Sequence, residues 1–216
     1  DGRRDTDANW GTKKYTTSVN AKGEVVTNKV TWFGYRVHLI VDAKYELPVA
    51  FKITPASNSE KTEAKEILKA MHEEQLERCK YLMADKGYDD TQIIEYLEKK
   101  GISAIIDICN KWKDGEKTKQ YKDTDIVYTY DGKVYYINDE GKEIKLRYLG
   151  HDKSSNSLRY GFYPQYDDNR VFRISCDTDK RIFVSVARDS KKWERLYKKR
   201  TSVERVNGRI DRDYQF

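Results

Sequence analysis

The chain has 216 residues, enough for one sizeable core or for a core carrying an inserted subdomain. Its 42 Lys and Arg against 36 Asp and Glu leave a formal charge of +6, which favours a polyanionic partner but is too small an excess to identify one. Cys79, Cys109 and Cys176 stand far apart with no C-x-x-C pair, which excludes a thiolate zinc centre of the usual spacing and reads as buried thiols in a reducing compartment; no apolar run approaches the ~20 residues that cross a bilayer, and no signal-peptide pattern occurs.

Residues 1–30 are polar and rich in Gly, Lys and Thr, and are expected to form an irregular loop or arm; their distinctive part is DTDANWG, Asp5 to Gly11. Residues 32–42 alternate, with Phe33, Tyr35, Val37, Leu39 and Val41 on one face and Gly34, Arg36 and His38 opposite. Residues 47–54 alternate again through Leu47, Val49, Phe51 and Ile53, and the short link Ala43 to Glu46 predicts a β-hairpin. Ser57 with Glu60 fits a capping box for a helix whose Ala64, Ile67, Leu68 and Met71 form an apolar stripe. Residues 80–84, KYLMA, predict a short buried strand ending at Asp85. Asp90 or Thr91 caps a further helix that carries Ile93, Ile94 and Leu97 and stops near Gly101. Residues 103–108, SAIIDI, predict another buried strand.

From 110 to 187 the pattern changes to short β-like runs at 126–130, 133–137, 144–149, 171–175 and 181–187, divided by turn signals such as Asp131-Gly132. A helical pattern returns at 190–212, with Trp193, Leu196, Val203, Val206 and Ile210 as packing positions. The order divides the chain into 1–109, an α/β part; 110–187, a β-rich insertion; and 188–216, a closing helix. The chain opens on Asp1 without a methionine and closes on Phe216 in a charged stretch, so it reads as a fragment.

Three constellations bear chemistry. Asp85, in MADKGYDD, follows the C-terminal end of a short buried strand, where α/β sheets place ligands, and a carboxylate there suits a hard cation such as Mg²⁺; the same residue type also caps turns. Tyr197, Arg200 and Glu204 are spaced by three and four and share one helical face, so a carboxylate ligand stands beside a guanidinium that suits a phosphate; the same spacing also makes an ordinary solvated ion pair. KKWERLYKKR, Lys191 to Arg200, with Arg205, Arg209 and Arg212, surrounds a helix with cations and suits contacts to a nucleic-acid backbone. His38, His72 and His151 form no metal-spaced pair, and neither a GxxxxGK[ST] loop nor a G-x-S-x-G elbow is present, so a histidine-based hydrolase and ATP use are not indicated.

Taken in order, DTDANWG, WFGYRVHLIVDA with ELPVAFKITPAS, MADKGYDD and YKKRTSVERVNGRIDR resemble the DDE transposases of bacterial insertion sequences, the last segment through that group's Y-x-x-R-x-x-x-E signature at Tyr197, Arg200 and Glu204. The resemblance implies a ribonuclease H-like mixed sheet flanked by helices and interrupted by a β-rich insertion between the second and third catalytic carboxylates. It places those two on Asp85 and Glu204, as ligands of two Mg²⁺ or Mn²⁺ ions. It puts Tyr197, Arg200, Arg209 and Arg212 against double-stranded DNA, both terminal inverted repeats and target. A cytoplasmic, nucleoid-associated enzyme that acts as a homodimer is the further expectation. The family's first Asp lies on a strand preceding the DTDANWG-like segment, and that strand is expected upstream of Asp1, together with a C-terminal tail beyond the chain; Asp42, at the end of the following strand, is the fallback. Where the signature ordinarily continues to a Lys, this chain has Asp211, beside Arg209 and Arg212. A ribonuclease H-like nuclease without strand transfer, and an inactive DNA-binding remnant, are the alternative readings.

Overall fold

The computed structural model describes the backbone of residues 5–19 and 25–214, with side chains for 5–13 and 28–213. The chain divides into two compact units, one made of Asp1–Met71 with Arg205–Phe216 and the other of His72–Glu204. Each contains both strands and helices, so the chain is a mixed α/β protein.

The first unit is built on an antiparallel sheet of β1 (Asn9–Val19), β2 (Val25–Asp42) and β3 (Leu47–Pro55), in that spatial order. The predicted arm over residues 1–30 is therefore corrected, since most of it is strand. TKKYTTSV and VVTNKV are rich in Thr, Val and Tyr, which suit a pleated surface. They form strands by pairing with each other, Asn9 opposite Gly34 through Val19 opposite Val25, without the alternation that sequence reading depends on. The hairpin from β2 to β3 forms as expected. Its turn is tied by Asp42, whose Oδ1 accepts from the amides of Lys44 and Tyr45 at 2.8 Å each.

The alternation along β2 and β3 holds, but the polar face is the one packed against α1 (Glu60–Ala70). Arg36 pairs with Glu60 at 3.2 Å, Lys52 with Glu63 at 2.6 Å, and the His38 ring meets Thr54 Oγ1 at 3.0 Å, both residues being buried. Glu60 is thus used by Arg36. The helix starts one residue after Ser59, whose side chain makes no cap bond, and the expected Ser57–Glu60 capping box does not form. On the other face Val37, Phe51 and Ile53 are 61, 68 and 58% exposed, an apolar patch of the kind that ordinarily packs against another surface.

His38 carries a testable consequence. Burial lowers its pKa, with the Glu63 charge opposing and Arg36 reinforcing the shift. The unfolded chain then takes up a proton at a higher pH than the folded one, so the histidine's stabilising contribution is whole above about pH 6.5 and is lost as the pH falls towards the folded value. Melting temperatures recorded between pH 7.5 and 5 are expected to fall more steeply for the wild type than for His38→Gln; equal slopes would refute this.

The second unit begins with α2 (Glu73–Arg78) and a β-α-β element: β4 (Tyr81–Ala84), a 3₁₀ turn at Lys86–Tyr88, α3 (Thr91–Lys99) and β5 (Ser103–Ile106). β4 and β5 pair in parallel from Tyr81 opposite Ser103 to Ala84 opposite Ile106, which the intervening helix makes possible. Asp90 caps α3 by accepting from the amides of Gln92 and Ile93. Ile93, Ile94 and Leu97 bury its apolar face, and Gly101, at φ +71°, supplies the left-handed residue that ends it.

Two antiparallel sheets follow. One orders β6 (Lys119–Gln120), β7 (Ile126–Tyr128), β8 (Val134–Ile137) and β9 (Glu143–Lys145); the other orders β10 (Arg147–Asp152), β11 (Ser157–Gly161) and β12 (Val171–Ser175). They share a core that includes Leu146, Leu158, Tyr160, Phe162, Ile174 and Phe183. RIFVSVA at 181–187, expected as a strand, is buried but irregular. Its polar groups bond outside any ladder: the amides of Ile182 and Phe183 donate to the Asp179 carbonyl, the Ile182 carbonyl accepts from Arg188 Nη1, and the Ser185 carbonyl accepts from the Tyr148 hydroxyl. The closing helix is likewise divided, into α4 (Lys191–Tyr197), a 3₁₀ turn at Lys198–Arg200 and α5 (Thr201–Tyr214).

Candidate active site

Asp85 is the first residue beyond β4 and is exposed. Its Oδ1 accepts from the Gly87 amide at 2.8 Å, while its own carbonyl accepts from the Tyr88 amide at 3.1 Å, so the residue caps the 3₁₀ turn that follows the strand. Because Ala84 pairs with Ile106, Asp107 stands at the matching place beyond β5. Its amide donates to the Ala84 carbonyl, and its Oδ1 accepts from the Ile108 amide at 2.8 Å. Sequence reading ran the strand to 108 and passed over Asp107. The available signal was a repeated form, a short apolar run closed by Asp, YLMAD and SAIID.

α4 lies against these strands. Leu196 joins Ile105 and Val186 in a small buried cluster, with Tyr81, Met83, Trp193 and Tyr197 packed around it. Trp193 and Tyr197 stack at 4.6 Å with 13° between their planes, and the Lys192 ammonium lies over the Tyr81 ring at 5.3 Å. This packing carries Tyr197 and the turn that bears Arg200 to the strands, with Glu204 one helical turn further on. Burial and the Asp107 charge push the Tyr197 hydroxyl's pKa up, Arg200 opposes, and Asp85 adds to the rise, so Tyr197 stays protonated at neutral pH. Arg200 Nη1 donates to Glu204 Oε1 at 2.6 Å. That bond raises the guanidinium's pKa, burial opposes, and the Glu204 and Asp85 charges raise it further. Of the two carboxylates that sequence reading singled out, Glu204 thus bonds Arg200 directly, while Asp85 reaches it only through its charge. The Arg200–Glu204 bridge is partly exposed and of the i, i+4 kind, worth only about 0.3–0.5 kcal/mol, so exchanging it for another partner costs little.

The other expected site residues fall differently. Arg209 and Arg205 both engage Glu46 and hold its carboxyl below the usual range, chiefly through the Arg205 bond; Arg212 pairs with its neighbour Asp213 at 2.9 Å. Asp42 belongs to the first unit, where its carboxylate ties the β2–β3 turn.

Among the described residues no three His, Cys, Asp or Glu side chains are grouped as a metal site. The donor chemistry nonetheless fits a hard divalent ion. Asp85 and Glu204 carry carboxylate oxygens, Mg²⁺ commonly takes one or two carboxylates and completes its shell with water and phosphate oxygens, and a cation beside Glu204 would replace the charge of Arg200 there.

A transposase DDE domain family model matches residues 16–216, nearly the whole chain. The chain belongs to the DDE transposase family. No curated protein and no solved structure matches it. As a transposase domain of a mobile element, it takes DNA as its substrate. The YxxRxxxE signature, Tyr197 to Glu204, lies inside the matched region, as does the strand end that bears Asp85. Among the described residues no helix of this transposase domain is long and apolar enough to cross a membrane.

Proposed function

We propose that this chain is the catalytic domain of a transposase that nicks DNA at the ends of its insertion sequence and joins the released 3′ ends to target DNA. What supports the reading is the match to the transposase DDE domain, together with Asp85 at the end of a parallel β-α-β element and an Arg200, bonded to Glu204, that feels the Asp85 charge. Asp85 and Glu204 would hold divalent cations, Mg²⁺ or Mn²⁺, as two of the family's three carboxylates. Two such ions, when bound, activate the attacking oxygen and neutralise the leaving 3′-oxygen. Arg200 exchanges its weak bridge to Glu204 for a flanking phosphate, which its planar fork suits. Tyr197, protonated and stacked on Trp193, keeps the helix seated so that Glu204 faces the strand ends. Asp107 adds negative charge beside Tyr197. Arg212 and the Lys191–Arg200 stretch contact the backbone of the repeat, and the enzyme works as a dimer on paired ends.

The deciding experiment incubates the full-length transposase with labelled terminal-repeat DNA and a target plasmid in Mg²⁺, in Mn²⁺ and in chelator. Nicking followed by joined product, in metal alone, is the expected result. Nicking without joining points to a hydrolytic nuclease on the same scaffold, and repeat binding without nicking in either metal overturns the catalytic reading.

A further inference from the structure

Asp89 is a carboxylate with no exposure at all, four residues after Asp85. Its Oδ1 accepts from Arg181 Nε at 3.0 Å; its Oδ2 accepts from Arg181 Nη2 at 2.5 Å and from the Cys109 amide at 3.1 Å. Lys111 stands 3.7 Å from the same oxygen, and Arg181 Nη2 also donates to the Cys109 carbonyl at 3.0 Å. Burial opposes ionisation, yet the two-point Arg181 bond, the Cys109 amide and the charges outweigh it and hold the Asp89 carboxyl below the usual range.

The turn between the two acids is continuous. The Gly87 and Tyr88 amides donate to Asp85, and the Asp89 amide donates to the Lys86 carbonyl at 3.2 Å. Seven residues beyond Arg181, Arg188 Nε donates to the carbonyl of Ile106, the last residue of β5, at 3.0 Å. The two arginines that bracket the irregular segment 182–187 therefore grip the ends of both parallel strands, Arg181 by the turn after β4 and Arg188 by the carbonyl that closes β5. A buried ion pair adds little stability over well-packed apolar residues, because desolving both charges offsets their attraction. What it does fix is one geometry: a two-point guanidinium bond admits a single orientation of the carboxylate it holds.

We propose that Arg181 and Asp89 are positioning residues of the catalytic site, locking the 85–89 turn so that Asp85 is preset for a divalent cation. The inference rests on the reading that Asp85 holds such a cation. The structure thereby gives the end of the β-rich insertion a part in the reaction, since Arg181 reaches Asp89 from 92 positions away.

The test uses the full-length transposase with Arg181→Lys, which keeps the charge and loses the fork, and Asp89→Asn, which keeps the shape and loses the charge. Four quantities are measured: the Mn²⁺ concentration giving half-maximal nicking of terminal-repeat DNA, the affinity for that DNA, the melting temperature, and hydrogen exchange at the amides of residues 86–89. Outer-shell partners of metal ligands typically contribute 10–100-fold, so the half-saturating Mn²⁺ is expected to rise by about that factor at unchanged DNA affinity, with faster exchange across the turn. Folded variants with wild-type Mn²⁺ dependence and wild-type exchange overturn the proposal. Should Asp89→Asn not fold, Arg181→Lys decides by the same measurements. An Asp85→Ala control separates the two levels: if it nicks normally the metal reading fails, while exchange at 86–89 in the Arg181 variant still reports whether the pair holds the turn.

Discussion

Asp85→Asn in the full-length transposase is expected to lower nicking of terminal-repeat DNA by about 10³-fold while leaving the melting temperature nearly unchanged. The two halves of that expectation have separate physical causes. Asp85 is exposed, and the bond that shapes its turn is accepted from the Gly87 amide by one carboxylate oxygen, which the asparagine carbonyl can replace. The fold therefore loses little. The chemistry loses a hard anionic ligand, and metal-ion stabilisation of a reacting phosphodiester is worth several kcal/mol, or roughly a thousandfold at 1.36 kcal/mol per factor of ten. Glu204→Gln is expected to behave alike, because its bridge to Arg200 is a weak one that stabilises the helix by only a few tenths of a kcal/mol. The readout is the initial nicking rate at saturating Mn²⁺ beside a thermal melt of each variant. Wild-type rates in both variants would remove these two acids from the reaction.

Asp85 and Glu204 are candidates that the sequence alone can nominate. Each belongs to a short segment whose pattern is local: an apolar run closed by Asp and Gly, and a helical face spaced three and four apart. The same locality made the β2–β3 hairpin and α3 with its Asp90 cap readable. What escaped depends on partners far away in the chain. β1 carries no alternation of its own and becomes a strand because β2 runs beside it. The face of β2 and β3 that meets α1 is the polar one, a choice made by Glu60 and Glu63 meeting Arg36 and Lys52. Asp89 reads as one more acid in MADKGYDD, and nothing near it announces Arg181. Asp107 was within reach, since it repeats the strand-then-Asp form of Asp85, but only the parallel pairing of β4 with β5 sets the two side by side.

The segment RIFVSVA shows the same division, and it carries the second large effect. Its composition promised a strand, yet no neighbouring strand accepts it, and the backbone groups of Ile182, Phe183 and Ser185 bond instead to Asp179, Arg188 and Tyr148. Burial without a ladder means that side-chain packing holds it. Ile182, Phe183, Val184 and Val186 are all nearly inaccessible, and the Phe183 ring meets Tyr128 edge-on at a 5.0 Å centroid separation. Phe183→Ala removes that contact and leaves a void beneath two sheets that are themselves hydrogen-bonded and slow to collapse, so a loss of about 3–5 kcal/mol is expected. Val37→Ala, on the exposed face of β2, serves as the contrast and is expected to change stability by about 0.5 kcal/mol or less. Urea denaturation of the two variants, followed by tryptophan fluorescence with the m value compared to wild type, measures both. A Phe183→Ala loss no larger than that of Val37→Ala would mean that the segment is held by its backbone bonds and not by its side chains. Arg181 and Arg188 would then owe their positions to hydrogen bonds, those to Asp89, Cys109, Ile106 and Ile182 and the Asp179 turn, with no help from the packing of the segment between them.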